Sequence, residues 1–355
     1  MTEISRGSYV KTPRDLTVAE YLRNWLRDYV EVNCAPKTIE SYGMIIEKHV
    51  IPEVGNIHLA KLEPRYLQVL YGRKKAAGLG NRTVRYLYSL MAEALGHAVK
   101  TGLINRNVAL STEPPKVEHK VITTLAPDQL DRFFSAVKGI LYYALFYLML
   151  HTGLRRGEAL ALKWKHIDLG LSSLGVSAYL SVMQSLNKVD GRDLVQEPKT
   201  TSGKRRVALS PSLVLVLRTY RDAQGALRAS VGEQLIDEDY VCCHFDGTPL
   251  DPSTVSHTFA KVLRRAGLPP MPLHGLRHTH ATLLLQAGIH PKVVQERLGH
   301  SSIRVTLDTY SHVVGGLQEA AAQKFDEFLS ANRSADNNVG KMSALVHTDG
   351  RKTQN

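Results

Sequence analysis

Cysteine is scarce: the 355-residue chain has three, Cys34 and the adjacent Cys242 and Cys243. So few thiols exclude a small disulfide-stapled scaffold and point to a reducing, cytoplasmic setting. Long hydrophobic runs are missing too. The longest, Ile140 to Leu150, falls short of the ~20 residues that cross a bilayer and holds three tyrosines. It reads as a buried helix, no signal peptide is read ahead of it, and no membrane is expected as a partner. The third shortage is of acidic residues, 33 against 45 lysines and arginines, for a formal net charge of +12. Such an excess favours a polyanion, nucleic acid first, over a small acid or a neutral substrate.

The length predicts two domains joined by a linker. Residues 1–14 show no sustained period and read as a flexible lead-in. Thr17 with Glu20 makes a capping box, and Tyr21, Leu22, Trp25, Leu26, Tyr29 and Val30 follow at helical spacing. Pro36 opens a second helix that stops by Pro52 and Gly55. Pro64 opens a third ending at Gly78 or Gly80, and a fourth runs from about Arg82 to Lys100. Arg73, Lys74, Lys75, Arg82 and Arg85 gather around the loop between the last two. They read either as a solvated charged face or as a grip on a duplex backbone, which gives affinity without sequence information. Residues 15–110 thus form a helical unit, and 111–124, polar with Pro114 and Pro115 together, form the linker.

The second domain is expected over 125–330, with a C-terminal tail at 331–355. Pro127 opens a helix with Leu130, Phe133, Phe134 and Val137 inward, and the apolar Ile140 to His151 helix follows. Arg155 projects from the turn after it. Leu174 to Leu209 switches to short β-prone runs with an Asp190-Gly191 hairpin turn, predicting a small antiparallel sheet that carries Lys199 in or beside its second turn. Ser212 to Tyr220 reads as helix, Asp239 to Phe245 as a short strand, and Ser256 to Ala266 as helix. The fold class is mainly α with a small antiparallel β-sheet in the C-terminal domain.

Arg155, Lys199, His274, Arg277, His300 and Tyr310 lie in five separate segments, four of them at predicted turns or helix ends. Arginine offers a bidentate fork that suits phosphate. Two arginines on the non-bridging oxygens of a phosphodiester would neutralise the charge of a pentavalent transition state without a metal. A phenol then fits as nucleophile, because an ester to phosphorus splits one transfer into two reversible ones. A metal site would have to recruit His274, His278 and His280, or Cys242, Cys243 and His244. The first set is interrupted by Arg277 and has no acidic ligand nearby; the second lies in strand text whose neighbours point to opposite faces. No metal and no cofactor is expected.

The text His151-Thr152-Gly153-Leu154-Arg155 with Glu158, Pro198-Lys199-Thr200, His274-Gly275-Leu276-Arg277-His278-Thr279, Leu298-Gly299-His300-Ser301-Ser302, and Thr306 with Tyr310 and His312 resembles the tyrosine recombinases of the phage integrase family. The order and spacing agree across about residues 125 to 325, and the 15–110 unit resembles the family's core-binding domain more loosely. The resemblance implies a two-domain clamp on DNA that breaks and rejoins strands for a phage or other mobile element, through a 3′-phosphotyrosine and a four-way junction. It makes Arg155 and Arg277 the phosphate clamp, Tyr310 the nucleophile and Lys199 the acid for the leaving 5′ oxygen. His274 would accept the tyrosine proton, His300 would hydrogen-bond the phosphate, and Glu158 would buttress the site. Arg156 and His278 are expected to be bystanders. The implied partners are double-stranded DNA core sites, a homotetramer on two duplexes with residues 331–355 exchanged between subunits, and accessory DNA-bending or directionality proteins. A type IB topoisomerase would use similar chemistry as a monomer, and the basic helical unit could serve a DNA-binding regulator whose second domain has lost activity.

Overall fold

The computed structural model describes residues 16–118, 122–170, 178–198 and 201–310, together with 322, 323, 325–327 and 329. The lead-in at 1–14, Lys199, and the tail at 331–355 lie outside the described residues. The chain divides into two compact units. One takes in the described residues up to Ile122 together with Leu186–Gln196; the other takes those of Thr123–Ser185 and from Glu197 onward.

The first unit is helical. Helix α1 (Val18–Trp25) starts at the expected capping box, where the Thr17 hydroxyl accepts from the Glu20 N–H and the Thr17 N–H donates to the Glu20 carboxylate at 2.9 Å. It runs on through a π turn at Leu26–Val30. Helix α2 (Pro36–Ile45) does the same through Ile46–Val50 and carries Pro52 within the terminal turn Ile51–Val54. Helices α3 (Pro64–Ala76) and α4 (Asn81–Lys100) complete the unit around a core that includes Leu22, Trp25, Ile46, Leu67, Leu87 and Met91. The first half of the expected linker is docked rather than loose. The Gln68 amide donates to the Glu113 carbonyl at 3.1 Å and accepts from its N–H at 2.9 Å, and Asn81 donates to the Lys116 carbonyl at 2.9 Å.

The second unit begins where the Leu125 N–H donates to the Thr279 hydroxyl at 3.0 Å. Helices α5 (Pro127–Val137), α6 (Tyr143–Thr152) and α7 (Arg156–Leu160) follow. Phe133 of α5, Phe146 of α6 and Phe259 of a later helix form an aromatic triad, with centroids 5.5 to 6.1 Å apart. The β-prone text makes two sheets instead of one. Strands β1 (Ile167–Asp168), β2 (Tyr179–Val182) and β5 (Arg205–Ala208) form an antiparallel sheet in the order β1-β2-β5. Strands β3 (Ser185–Val189) and β4 (Arg192–Gln196) form a separate hairpin, nearly all of which groups with the first unit, where Lys37 Nζ donates to the Lys188 carbonyl at 3.0 Å. Its turn is the expected Asp190-Gly191, both at positive φ (48° and 75°), which matches the twist of a two-residue hairpin.

Helix α8 (Pro211–Ser230) runs well beyond the predicted Tyr220, and α9 (Pro252–Arg265), α10 (Gly275–Gln286), α11 (Pro291–Leu298) and α12 (Ile303–Tyr310) follow. The expected strand at Asp239 to Phe245 is not one. Its backbone is met piecemeal, by Leu162 and Trp164 on one side and Thr248 on another, with single-residue bridges Lys163 to Tyr240 and Cys243 to Pro249 instead of a ladder. Because both sides are covered, Cys242 and Cys243 are both buried; they and Cys34 are free thiols. Among the described residues no helix is long and apolar enough to cross a membrane.

Candidate active site

Gly153 ends α6 in the left-handed region (φ 68°), and the chain turns at once into α7 with Arg155 at its N-cap. Glu158, one turn on, is 5% exposed and is the electrostatic centre of this corner. Its carboxylate accepts from the Arg155 N–H at 2.9 Å and the Arg155 guanidinium at 2.8 Å. From the other side Arg205 donates to both carboxylate oxygens, at 3.2 and 2.9 Å. Burial alone would raise the Glu158 pKa. The Arg205 hydrogen bonds and charge, followed by the Arg155 charge, outweigh it and hold the acid at about 2.

Arg205 was not singled out by its sequence context, the run Lys204-Arg205-Arg206. Strand alternation decides between them: Arg205 shares the inner face of β5 with buried Val207, while Arg206 faces out and stacks on Tyr179 at 3.4 Å from the ring centroid. Arg205 also donates to the Arg297 carbonyl at 2.7 Å. Arg297 in turn donates to His280 Nε2 at 3.0 Å and to the carbonyls of Ala208 and His151 at 3.0 and 2.9 Å. These two arginines tie β5, α6, α10 and α11 into one frame.

Arg277, in the first turn of α10, is 1% exposed. It donates to the Gly153 carbonyl at 2.8 Å and the Leu298 carbonyl at 2.7 Å, the last turns of α6 and α11. Burial, then the Arg155 charge, lowers its pKa to about 9, so it stays charged at neutral pH. Gly299 (φ 67°) ends α11 and turns His300 into the same corner. His300 shares a 2.9 Å hydrogen bond with the buried Thr306 hydroxyl, and burial followed by the charges of Arg277, Arg155 and Arg205 lowers its pKa to about 4. His274, at the N-cap of α10, is exposed. The protein crowded around it, then His278, Arg277 and Arg155, also press its pKa below the ordinary histidine value.

Tyr310, on α12, is 2% exposed against Ala281, Leu285, Val294 and Leu298. Burial raises its pKa to about 12 against the opposing pull of Arg277. The imidazole on its hydroxyl is His278, whose Nδ1 lies 2.8 Å away. His278, expected to be a bystander, thus touches Tyr310, whereas Arg156 is turned to Pro252 and Ser256. The structure thus brings together Arg155, Glu158, His274, Arg277, His300 and Tyr310, and adds Arg205 and His278.

In the first unit, Arg73 and Lys74 both engage Glu53, at 3.1 and 2.9 Å, and the Lys74 side chain is only 13% exposed. Lys75, Arg82 and Arg85 are exposed.

Residues 123–315 match the phage integrase family, and residues 17–74 match the N-terminal SAM-like domain of phage integrases. The chain belongs to the phage integrase family. A tyrosine recombinase XerC-like protein of Caldanaerobacter subterraneus subsp. tengcongensis is 29% identical over 315 residues, covering 85% of this chain and 80% of that one. The ICEBs1 integrase of Bacillus subtilis is 27% identical over 301 residues, covering 84% and 80%. Among solved structures, the Tn1549 transposon integrase in complex with a circular intermediate DNA superposes with a TM-score of 0.74 at 21% identity, over 87% of this chain and 99% of that one. A lambda integrase tetramer bound to a Holliday junction gives 0.63 at 18%, over 87% and 81%. Membership makes this integrase a tyrosine recombinase, an enzyme of site-specific DNA recombination in mobile elements.

Proposed function

We propose that this integrase cuts and rejoins double-stranded DNA at a core site with Tyr310 as nucleophile. The observation that carries the reading is Arg277, a buried guanidinium whose hydrogen bonds go to two carbonyls. Glu158, the carboxylate whose charge reaches it, is already shared by Arg155 and Arg205. An under-compensated buried cation is costly. A phosphodiester between Arg277 and the more exposed Arg155 relieves that cost and places the developing phosphorane charge where two fixed cations meet it.

The Tyr310 oxygen attacks phosphorus, the bond from phosphorus to the 5′ oxygen breaks, and a 3′-phosphotyrosine forms. His300, neutral at pH 7, donates a hydrogen bond to the phosphate. The family pattern gives the leaving-group proton to Lys199 and the phenolic proton to His274. Attack by a 5′ hydroxyl of the partner strand restores the diester and frees Tyr310. The ester conserves the bond energy, so the proposed route draws on neither ATP nor a metal. Lys75, Arg82 and Arg85 of the first unit supply phosphate contacts, and four subunits act on two duplexes, as the lambda integrase tetramer sits on its junction.

The test uses nicked duplexes cut from the DNA that flanks the coding sequence, on which cleavage is trapped. The expected result is a covalent adduct whose peptide contains Tyr310, absent from Tyr310→Phe while DNA affinity stays within a few-fold. An adduct that persists in Tyr310→Phe would overturn the assignment.

A further inference from the structure

His274 and His278 are one helical turn apart on α10, so their side chains lie on the same face. Their rings meet edge to face, with centroids 4.8 Å apart and planes at 88°. Of the two, His278 is the ring on the nucleophile: Nδ1 is 2.8 Å from the Tyr310 hydroxyl, and the ring centroids are 5.7 Å apart. That distance is the length of a good hydrogen bond to a hydroxyl. Its direction follows from the two groups. A phenol held at about 12 keeps its proton at neutral pH and has one to give. Burial, then Arg277, presses the His278 pKa below the ordinary value, so the ring is neutral and one nitrogen carries a lone pair. The phenol donates and Nδ1 accepts, which places the remaining ring proton on Nε2.

We propose that His278 is a catalytic residue of this integrase, the group that takes the Tyr310 proton as the phenol attacks phosphorus. The step balances. The bond from the Tyr310 oxygen to phosphorus forms, the phenolic proton passes to His278 Nδ1, and the 5′ oxygen departs with a proton from the leaving-group acid. In rejoining, the imidazolium returns its proton to the departing Tyr310 oxygen. Arg277 sits one residue before His278 and is fixed by two carbonyls, so the same helical turn aligns the phosphate clamp and the proton acceptor. His274 faces the site from the N-cap and contacts His278 rather than the phenol. Its place in this scheme is beside the phosphate.

The inference rests on Tyr310 as the nucleophile, and the test separates the two. Single-turnover cleavage is measured for the full chain and for His278→Gln, His274→Gln and His278→Gly, on ordinary nicked DNA and on DNA with a 5′ phosphorothiolate at the scissile position. The sulfur leaving group needs no acid, so it relieves a lost acid and leaves a lost base exposed. The expected result for His278→Gln is a fall of roughly a hundred- to ten-thousandfold, as is typical of general acid–base groups. DNA affinity should be unchanged and the phosphorothiolate should give no relief. Imidazole added to His278→Gly, where the ring has been cut out, should restore cleavage at least tenfold, which a merely misfolded variant would not allow. If His278→Gln cleaves at the full-length protein's rate, or if only His274→Gln shows the unrelieved loss, this proposal fails while the Tyr310 assignment stands. An adduct mapped to a different tyrosine in the unsubstituted protein removes the Tyr310 assignment itself.

Discussion

Replacing Glu158 with Gln takes one negative charge out of a corner where Arg155, Arg205 and Arg277 converge. Glu158 and Arg205 are 5% and 6% exposed at the side chain, so the pair is not screened, whereas Arg155, at 42%, adds less than its distance suggests. Holding the carboxyl at about 2 instead of its ordinary 4.5 corresponds to about 3 kcal/mol at neutral pH. Breaking a buried pair on one side costs roughly 3–5 kcal/mol, the same range. At about 2–4 °C per kcal/mol for a domain of this size, Glu158→Gln should melt roughly 6–12 °C lower at pH 7. The sign follows from the depressed pKa. The contribution is complete above 4.5, shrinks as pH falls below it, and is gone near 2. Urea denaturation should therefore show a constant deficit from pH 7 to pH 5 that narrows below pH 4.5. Adding Arg205→Met to the variant removes the stranded cation and should recover much of the loss. A midpoint within the error of the unsubstituted protein at pH 7, or a deficit unchanged at pH 3, would refute the reasoning.

Two further outcomes follow from the frame around the site and from the first unit. Gly153→Ala should lower both stability and cleavage. Position 153 has φ 68°, and a Cβ there would lie 2.6 Å from Leu298 Cδ2 and 2.7 Å from His280 Cδ2, displacing the carbonyl that holds Arg277. Gly232→Ala, equally left-handed (φ 77°) but in open space, serves as the control and should lose only the roughly 1–3 kcal/mol of backbone strain. Replacing both Arg82 and Arg85 by Ala should reduce the slope of log binding constant against log salt by about 0.9 per lost phosphate contact. Lys74→Ala should instead cost stability and leave the slope alone, because its ammonium is bound to Glu53. Equal slopes for the two variants would remove Arg82 and Arg85 from the DNA interface.

What the residues disclosed in advance was what local chemistry controls. The Thr17–Glu20 box, the prolines opening α2, α3 and α5, and the Asp190-Gly191 turn are each decided within a few residues, and each appears where expected. Helix α8 shows the limit. Past Tyr220 it buries only Arg228, which pairs with Glu233 and Asp239, so the second half had no apolar period to read. The stretch Asp239 to Phe245 had strand composition and no strand to pair with, a matter settled by Leu162 and Thr248 far along the chain.

The site divides along the same line. Arg155, Arg277 and His300 stand at helix ends, which glycines and prolines mark in the sequence; the partners that hold them still carry no such mark. Arg205 looked like one of three consecutive cations, and only its register opposite Val182 and its inward side on β5 bring it to Glu158, 47 residues earlier. His278 looked like a neighbour of Arg277, because residues adjacent in sequence point in different directions on a helix. Its meeting with Tyr310, 32 residues on, depends on how α12 packs against α10 and α11. A motif therefore announces the groups bound to turns, which are the ones proposed to meet the phosphate. Which groups surround Tyr310 is set instead by packing between α10, α11 and α12, which no local pattern records.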